Sequence, residues 1–291
     1  MKITAERRRV SPGIDGIQAS PHKPVSGREP RLTGVAETAM ITLWARAWET
    51  LRQESLFKDT RAVEWVKRMD YDFGQFNDAW KILTSIAIRT WIFDKEISSY
   101  LEHNPESAII NLGAGFDNRF WRIDNGSVLW FDIDLPPVID LKKRMIEETG
   151  RYRMISKSIL DFTWMDELET GSRPVAIIAE GVLMYLKQTE ISDLFDALVR
   201  VYPGADMFLE LLAPGLVDSQ YHDTANTMKA GYKWSLLNGR DLKSLHARLL
   251  FMEEWCVLDF FRERWDWIGK YADFPMFRNY FGEKIVHIKI R

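Results

Sequence analysis

Ser107-Ala-Ile-Ile-Asn-Leu-Gly-Ala-Gly-Phe-Asp-Asn-Arg-Phe-Trp-Arg122 decides how this chain is read. Residues 107–112 form a short apolar run suited to a buried strand. Gly113-Ala114-Gly115 interrupts it, and Phe116, Phe120 and Ile123 continue at helical spacing. Strand, glycine turn and helix start together bring backbone within reach of a nucleotide-like ligand. Glycine permits the sharp turn and puts no Cβ in the ligand's way. Gly-x-Gly alone is common, so its neighbours must give it meaning.

On the N-terminal side, residues 1–33 carry Pro12, Pro21, Pro24 and Pro30 among glycines, which predicts an irregular arm. From Thr38 the pattern turns helical. Met40, Leu43, Trp44, Ala47, Trp48 and Leu51 share one stripe, and Trp80, Leu83, Ala87, Ile88 and Trp91 share another, within a helix of about 77–102. Residues 34–104 are therefore expected to form a helical cap. On the C-terminal side, strands and helices alternate through 105–291. Strands are expected at 128–131 (closing in Asp132-Ile-Asp134), 152–156, 174–179, 206–212, 255–258 and 284–290. A helix is expected from Leu135 to about Glu148, and a helical, aromatic insertion at about 216–250. The class is α/β: about seven strands, mostly parallel, in a three-layer sheet with ligands at the strands' C-terminal ends.

Composition narrows the function. An apolar fraction of 46%, a charged fraction of 28% and a net charge of −3 fit a soluble globular chain and mark no nucleic-acid or membrane surface. The single cysteine, Cys256, excludes an internal disulfide, and the five histidines have no metal-ligand spacing, so no metal is expected. No apolar run approaches a membrane span, and the charged N-terminus has no signal-peptide core, so a cytoplasmic location is expected. Twelve Trp and sixteen Phe suit a bulky core, a ring-lined pocket, or both.

Asp132 lies 19 residues beyond Gly113, at the end of the second strand, where a carboxylate can accept both hydroxyls of a ribose. That fits a nicotinamide dinucleotide as well as S-adenosylmethionine. Asn118 stands where a third glycine would admit a pyrophosphate, and Asp132, Asp134, Asp161 and Glu180 crowd the strand ends. Such a ring repels a diphosphate and attracts a sulfonium with its α-amino group. Charge favours S-adenosylmethionine.

Residues 111–122, Trp130-Phe-Asp-Ile-Asp-Leu-Pro136 and Ile178-Ala-Glu-Gly-Val-Leu-Met-Tyr-Leu186 resemble the leucine carboxyl methyltransferase family, in its tetracenomycin-type polyketide O-methyltransferase branch. The similarity runs from about Thr38 to Leu212. It implies a Rossmann-like class I methyltransferase sheet with a late antiparallel strand, and S-adenosylmethionine as cofactor. By the same resemblance Arg89 would meet the methionine carboxylate, and Gly113, Ala114 and Gly115 would border the methionine. Asp132 or Asp134 would hold the ribose, Ser158 and Ile159 would flank the adenine, and Glu180 with Gly181 would face the amine or sulfonium. Asn118 departs from the Asp-Thr-Arg usual in that branch.

Each residue has a plainer alternative. Arg89 could be a salt-bridged helix arginine, Asp134 and Asp161 could cap helices, and Tyr185 could merely pack its ring. The expected partner is a small polyketide-like or aromatic acceptor. Tyr185, His222 and Trp234 are candidates to touch it, with Tyr185 the one catalytic candidate. No histidine sits at a strand end to act as base, which favours a carboxylate acceptor over a hydroxyl, since a carboxylate needs no deprotonation. A protein C-terminal carboxylate, a non-catalytic ligand-binding module and a nicotinamide oxidoreductase are the alternatives. Oligomeric state is left open.

Overall fold

The computed structural model describes residues 32–218 and 231–291. Seven strands form one sheet in the order β3-β2-β1-β4-β5-β7-β6. They are β1 (Ala108–Leu112), β2 (Leu129–Asp134), β3 (Tyr152–Ser156), β4 (Val175–Ala179), β5 (Asp206–Leu211), β6 (Leu249–Cys256) and β7 (Lys284–Ile290). The first five are parallel, and β7 runs antiparallel to both β5 and β6. The order reverses between β1 and β4, and a crevice for a ligand opens at such a switch point.

β1 is buried along its whole length because strands flank both edges and helices cover both faces. On one face, helix α6 (Gln188–Val201) sets Ile191, Leu194, Phe195 and Leu198 against Ile110, Ile177 and Leu209. On the other, helix α3 (Trp80–His103) sets Ile88, Ile92, Phe93 and Ile97 against Ile109, Trp130 and Phe208. The expected cap is thus divided. α3 is a layer of the sheet domain, whereas α1 (Thr38–Thr50) and α2 (Thr60–Arg68) build a separate cluster around Leu43, Trp44, Trp65 and Phe116.

Three boundaries differ from expectation. Helix α5 (Pro136–Lys143) stops well short of Glu148. The chain beyond it doubles back along β3, with Glu148 accepting the Met154 amide and the Thr149 amide donating to the Tyr152 carbonyl. β6 starts at Leu249, and residues 257–259 make a 3-10 turn. The 216–250 stretch is not continuously helical. Its described part holds the last residues of a short helix at Pro214–Asp218, chain without regular secondary structure near Trp234, a 3-10 turn at Gly239–Ser244 and the first residues of β6. Of the expected arm, only Leu32 and Thr33 fall among the described residues.

Candidate active site

The turn after β1 is built as the sequence requires. Gly113 and Gly115 have φ of +62° and +51°, a region L side chains rarely adopt. A Cβ on Gly113 would lie 2.6 Å from Val182 Cγ2. The amides of Gly113 and Ala114 donate to the Ile133 carbonyl, and the Gly115 amide donates to Asp134 Oδ2 at 2.6 Å. A short fourth helix, α4 (Arg119–Ile123), follows the turn.

A crevice of about 320 Å³ opens beside this turn. It gathers Arg89, Gly113, Ala114, Gly115, Asp134, Ser158, Ile159, Glu180, Gly181 and Tyr185 from α3 and four strand ends. Most of the cofactor residues implied by the resemblance therefore meet in one place. The exception is Asp132.

Asp132 is buried, and its two oxygens are consumed. Oδ2 accepts from Lys142 Nζ and Tyr152 Oη, each at 2.6 Å. Oδ1 accepts from Trp130 Nε1 at 2.8 Å and Asn111 Nδ2 at 3.0 Å. Lys142 is itself fully buried, so this carboxylate holds the core together. Asp134, two residues on and on the same face of β2, reaches the crevice. Burial pushes its carboxyl up to about 6, against the pull of the Gly115 and Leu135 amides. Between the two aspartates left open by the sequence, geometry favours Asp134 for the ribose. Asp161 is exposed and caps the following 3-10 turn through the Thr163 amide, so it leaves the acidic ring.

Arg89 is buried between three carboxylates. Nε donates to Glu180 Oε1 at 3.1 Å, Nη1 donates to Glu210 Oε1 at 2.8 Å, and Glu283 Oε1 lies 3.9 Å away. Burial disfavours its charge, but Glu210, Glu283 and Glu180 more than compensate, and the guanidinium is held well above its ordinary pKa. The other oxygen of Glu180 accepts from Arg119 Nη2 at 2.6 Å. Arg119 and Arg122 then link Asp94 and Asp117, and Arg122 with Arg46 reaches Asp59. Buried Asp117 would favour its neutral form, but Arg119, Arg122 and Arg46 hold it below the usual carboxylate range. Asn118 joins this network through Asp59.

A second cavity, of about 710 Å³, adjoins the crevice and shares Thr38, Thr42, Arg89, Gly181 and Tyr185 with it. Its wall is largely apolar and aromatic, including Ile41, Ile82, Trp265, Trp267, Phe277 and Phe281. Both volumes lie in the range of roughly 300–1,000 Å³ usual for small-molecule sites. A third, shallower cleft lined by Asp59, Asp94 and Arg122 opens elsewhere, over side chains already paired with one another.

Tyr185 sits at the junction, its ring 5.4 Å from that of Tyr232. Trp234 lines neither cavity. It packs in the core and donates its indole N–H to Gln188 Oε1 at 2.7 Å, so its expected contact with the acceptor is not formed. His222 lies outside the described residues. Sequence reasoning missed Thr38, Thr42 and Arg46, an i, i+4, i+8 polar stripe of α1 that lines the crevice. It also missed Glu210 and Glu283 in the second cavity.

The site fits S-adenosylmethionine on its own chemistry. Gly113 and Gly115 keep Cβ atoms out of the turn, Asp134 reaches the crevice as an accepting carboxylate, and Glu180 lines it between Arg89 and Arg119. Among the described residues no cluster suited to a metal ion occurs, and no helix is long and apolar enough to cross a membrane.

Residues 39–199 match the family model described as leucine carboxyl methyltransferase. The tetracenomycin polyketide synthesis O-methyltransferase TcmP of Streptomyces glaucescens is 33% identical, over 80% of this chain and 87% of that protein. The S-adenosyl-L-methionine-dependent methyltransferase dpfgK of Gibberella zeae is 27% identical, over 78% of this chain and 84% of that protein. Among solved structures, a putative methyltransferase from Thermobifida fusca superimposes with a TM-score of 0.56 at 13% identity, covering 85% of this chain and 94% of that one. The last similarity is one of fold.

Proposed function

We propose that this chain, which belongs to the leucine carboxyl methyltransferase family and is an S-adenosylmethionine-dependent O-methyltransferase, methylates an oxygen of a small aromatic, polyketide-like molecule. The observation that carries the acceptor class is the 710 Å³ aromatic cavity joined to the cofactor crevice at Arg89, Gly181 and Tyr185. A ring-lined cavity of this volume suits a planar apolar ligand. The polyketide O-methyltransferase named among its relatives supports the same reading.

The cofactor supplies a methyl group already activated by the sulfonium. What remains for the protein is to orient the acceptor oxygen, exclude water and balance charge. Asp134 would hold the ribose hydroxyls, Ser158 and Ile159 the adenine, and Arg89 the methionine carboxylate, with Arg46 close enough to assist from α1. Glu180 would face the positive side of the cofactor. Cytoplasmic location is part of the same proposal.

Calorimetry tests the cofactor half, and incubation with labelled S-adenosylmethionine and a panel of polyhydroxylated naphthalenes and anthraquinones tests the acceptor half. Micromolar cofactor binding with label transferred to the aromatic panel is the expected result. Label transferred only to peptide C-termini would overturn the acceptor class.

A further inference from the structure

The expectation of a carboxylate acceptor rested on the lack of a base near the cofactor motifs. The structure removes that ground. Glu210 on β5 and Glu283, one residue before β7, both line the acceptor cavity where Arg89 meets it. Their surroundings differ. Glu210 is fully engaged: Oε1 accepts from Arg89, and Oε2 accepts from the Gly181 amide at 2.5 Å. Glu283 is buried (6% exposed); its Oε2 accepts from Ser85 Oγ at 2.7 Å, its Oε1 lies 3.9 Å from Arg89 Nη1, and the carboxyl reaches that of Glu210 closely enough to share a proton. Of the two carboxyls, Glu283 is held less closely by the guanidinium, at 3.9 Å against 2.8 Å for Glu210, and so is the freer to take a proton.

We propose that Glu283 is the general base for a neutral aromatic hydroxyl bound in this cavity, with Glu210 and Arg89 as its positioning residues. The inference rests on the O-methyltransferase reading above and specifies its acceptor. The hydroxyl donates to the Glu283 carboxylate at the cavity wall. In transfer the acceptor O–H bond breaks and its proton passes to Glu283. The oxygen's electron pair forms the new O–CH3 bond, and the methyl–sulfur bonding pair stays on sulfur, giving S-adenosylhomocysteine. No further reactant is needed.

Charge agrees with this assignment. The groups facing Glu283 are Glu210, Glu180, Arg89, Tyr232 and the Ser85 hydroxyl, and the single guanidinium already serves three carboxylates. A carboxylate acceptor would bring a further negative charge beside these glutamates, whereas a neutral hydroxyl brings none. The cavity's other cation, Lys81, lies over the rings of Trp80 and Trp267, 6.0 and 5.7 Å from their centroids. Burial and the neighbouring glutamates raise both carboxyls, Glu210 to about 8, closer to the pKa of a phenol and hence better matched for taking its proton.

The test compares 2-naphthol with 2-naphthoate, near-isosteres that differ at the acceptor group. Binding of each to the wild-type complex with S-adenosylhomocysteine is measured by calorimetry, and transfer from S-adenosylmethionine by mass spectrometry. Naphthol should bind at least tenfold tighter than naphthoate at pH 8. Its kcat/KM should rise with pH and level off above the ordinary carboxylate range, once Glu283, raised by burial, loses its proton. Glu283→Gln should keep cofactor binding and lower naphthol transfer by roughly 100-fold or more, with Glu283→Asp partly restoring it. Tighter binding of naphthoate, methyl ester as the main product, wild-type transfer by E283Q, or binding of neither probe at millimolar concentration would each overturn the proposal. Should E283Q not fold, the wild-type pH profile and probe preference still decide. Failure of the wild-type protein to bind the cofactor would instead strike the underlying reading.

Discussion

Asp132 and Asp134 occupy the same face of one strand, and the structure predicts opposite consequences for their loss. Asp132→Asn removes the counter-charge of the fully buried Lys142 and places an amide where Tyr152, Trp130 and Asn111 already donate. Breaking a buried ion pair from one side costs about 3–5 kcal/mol. For a chain of this size that lowers Tm by at least about 6 °C. Asp134→Asn keeps one of two backbone acceptors at the Gly115 turn and relieves a buried charge, so the fold changes by only about 1 kcal/mol. Its loss falls on the cofactor. A charge-assisted hydrogen bond worth about 1.5–3 kcal/mol weakens S-adenosylmethionine binding by roughly 10- to 150-fold. Thermal denaturation paired with calorimetry separates the two. D132N melting like wild type while losing the cofactor, or D134N binding it normally, would refute the assignment.

Two further outcomes follow from the same turn. Because Asp134 titrates near 6 and accepts from both ribose hydroxyls at full strength only when ionised, cofactor affinity should fall by up to about tenfold from pH 7 to pH 5. Its contribution to apo stability has the opposite sign: a raised carboxyl favours the fold below about 4 and loses that effect as pH rises through about 6. Chemical denaturation across this range measures the second effect, and calorimetry in matched buffers the first; a pH-independent affinity would exclude Asp134. Gly113→Ala combines a left-handed backbone, about 1–2 kcal/mol, with overlap against Val182, about 1–3 kcal/mol. It should therefore cut both Tm and cofactor binding, and wild-type values for either would contradict the turn geometry.

Most of the sheet was legible because its central strands are buried on both faces and so read as continuous apolar runs. β6 was misplaced for the converse reason. It is the edge strand, paired only with β7, bulged near Glu253 and half-exposed, so Glu253 and Glu254 interrupt its pattern. The cofactor turn was legible because glycine spacing is local. The choice between Asp132 and Asp134 was not, since strand alternation treats positions i and i+2 alike. What separates them is Lys142 arriving from α5 and Tyr152 from β3. Glu210 and Glu283 were invisible for a similar reason: one interrupts an apolar strand, the other ends a loop, and only the β5–β7 pairing makes them neighbours.

The arginine network beneath the cofactor turn has a consequence for folding. Asp59 caps α2, Asp94 belongs to α3, Asp117 to the turn, and Glu180 follows β4, and Arg46, Arg119 and Arg122 join them. Releasing any one of these elements strands charge in the interior, so the α1–α2 cluster and the sheet should unfold in a single transition. The crevice rests on the same ties, and it exists only while both parts are assembled. Any ligand held there acts as a clamp on the whole chain, adding about 2.7 kcal/mol at a hundredfold excess over its Kd. A cofactor bound there would be a folding ligand of both parts as much as a methyl donor.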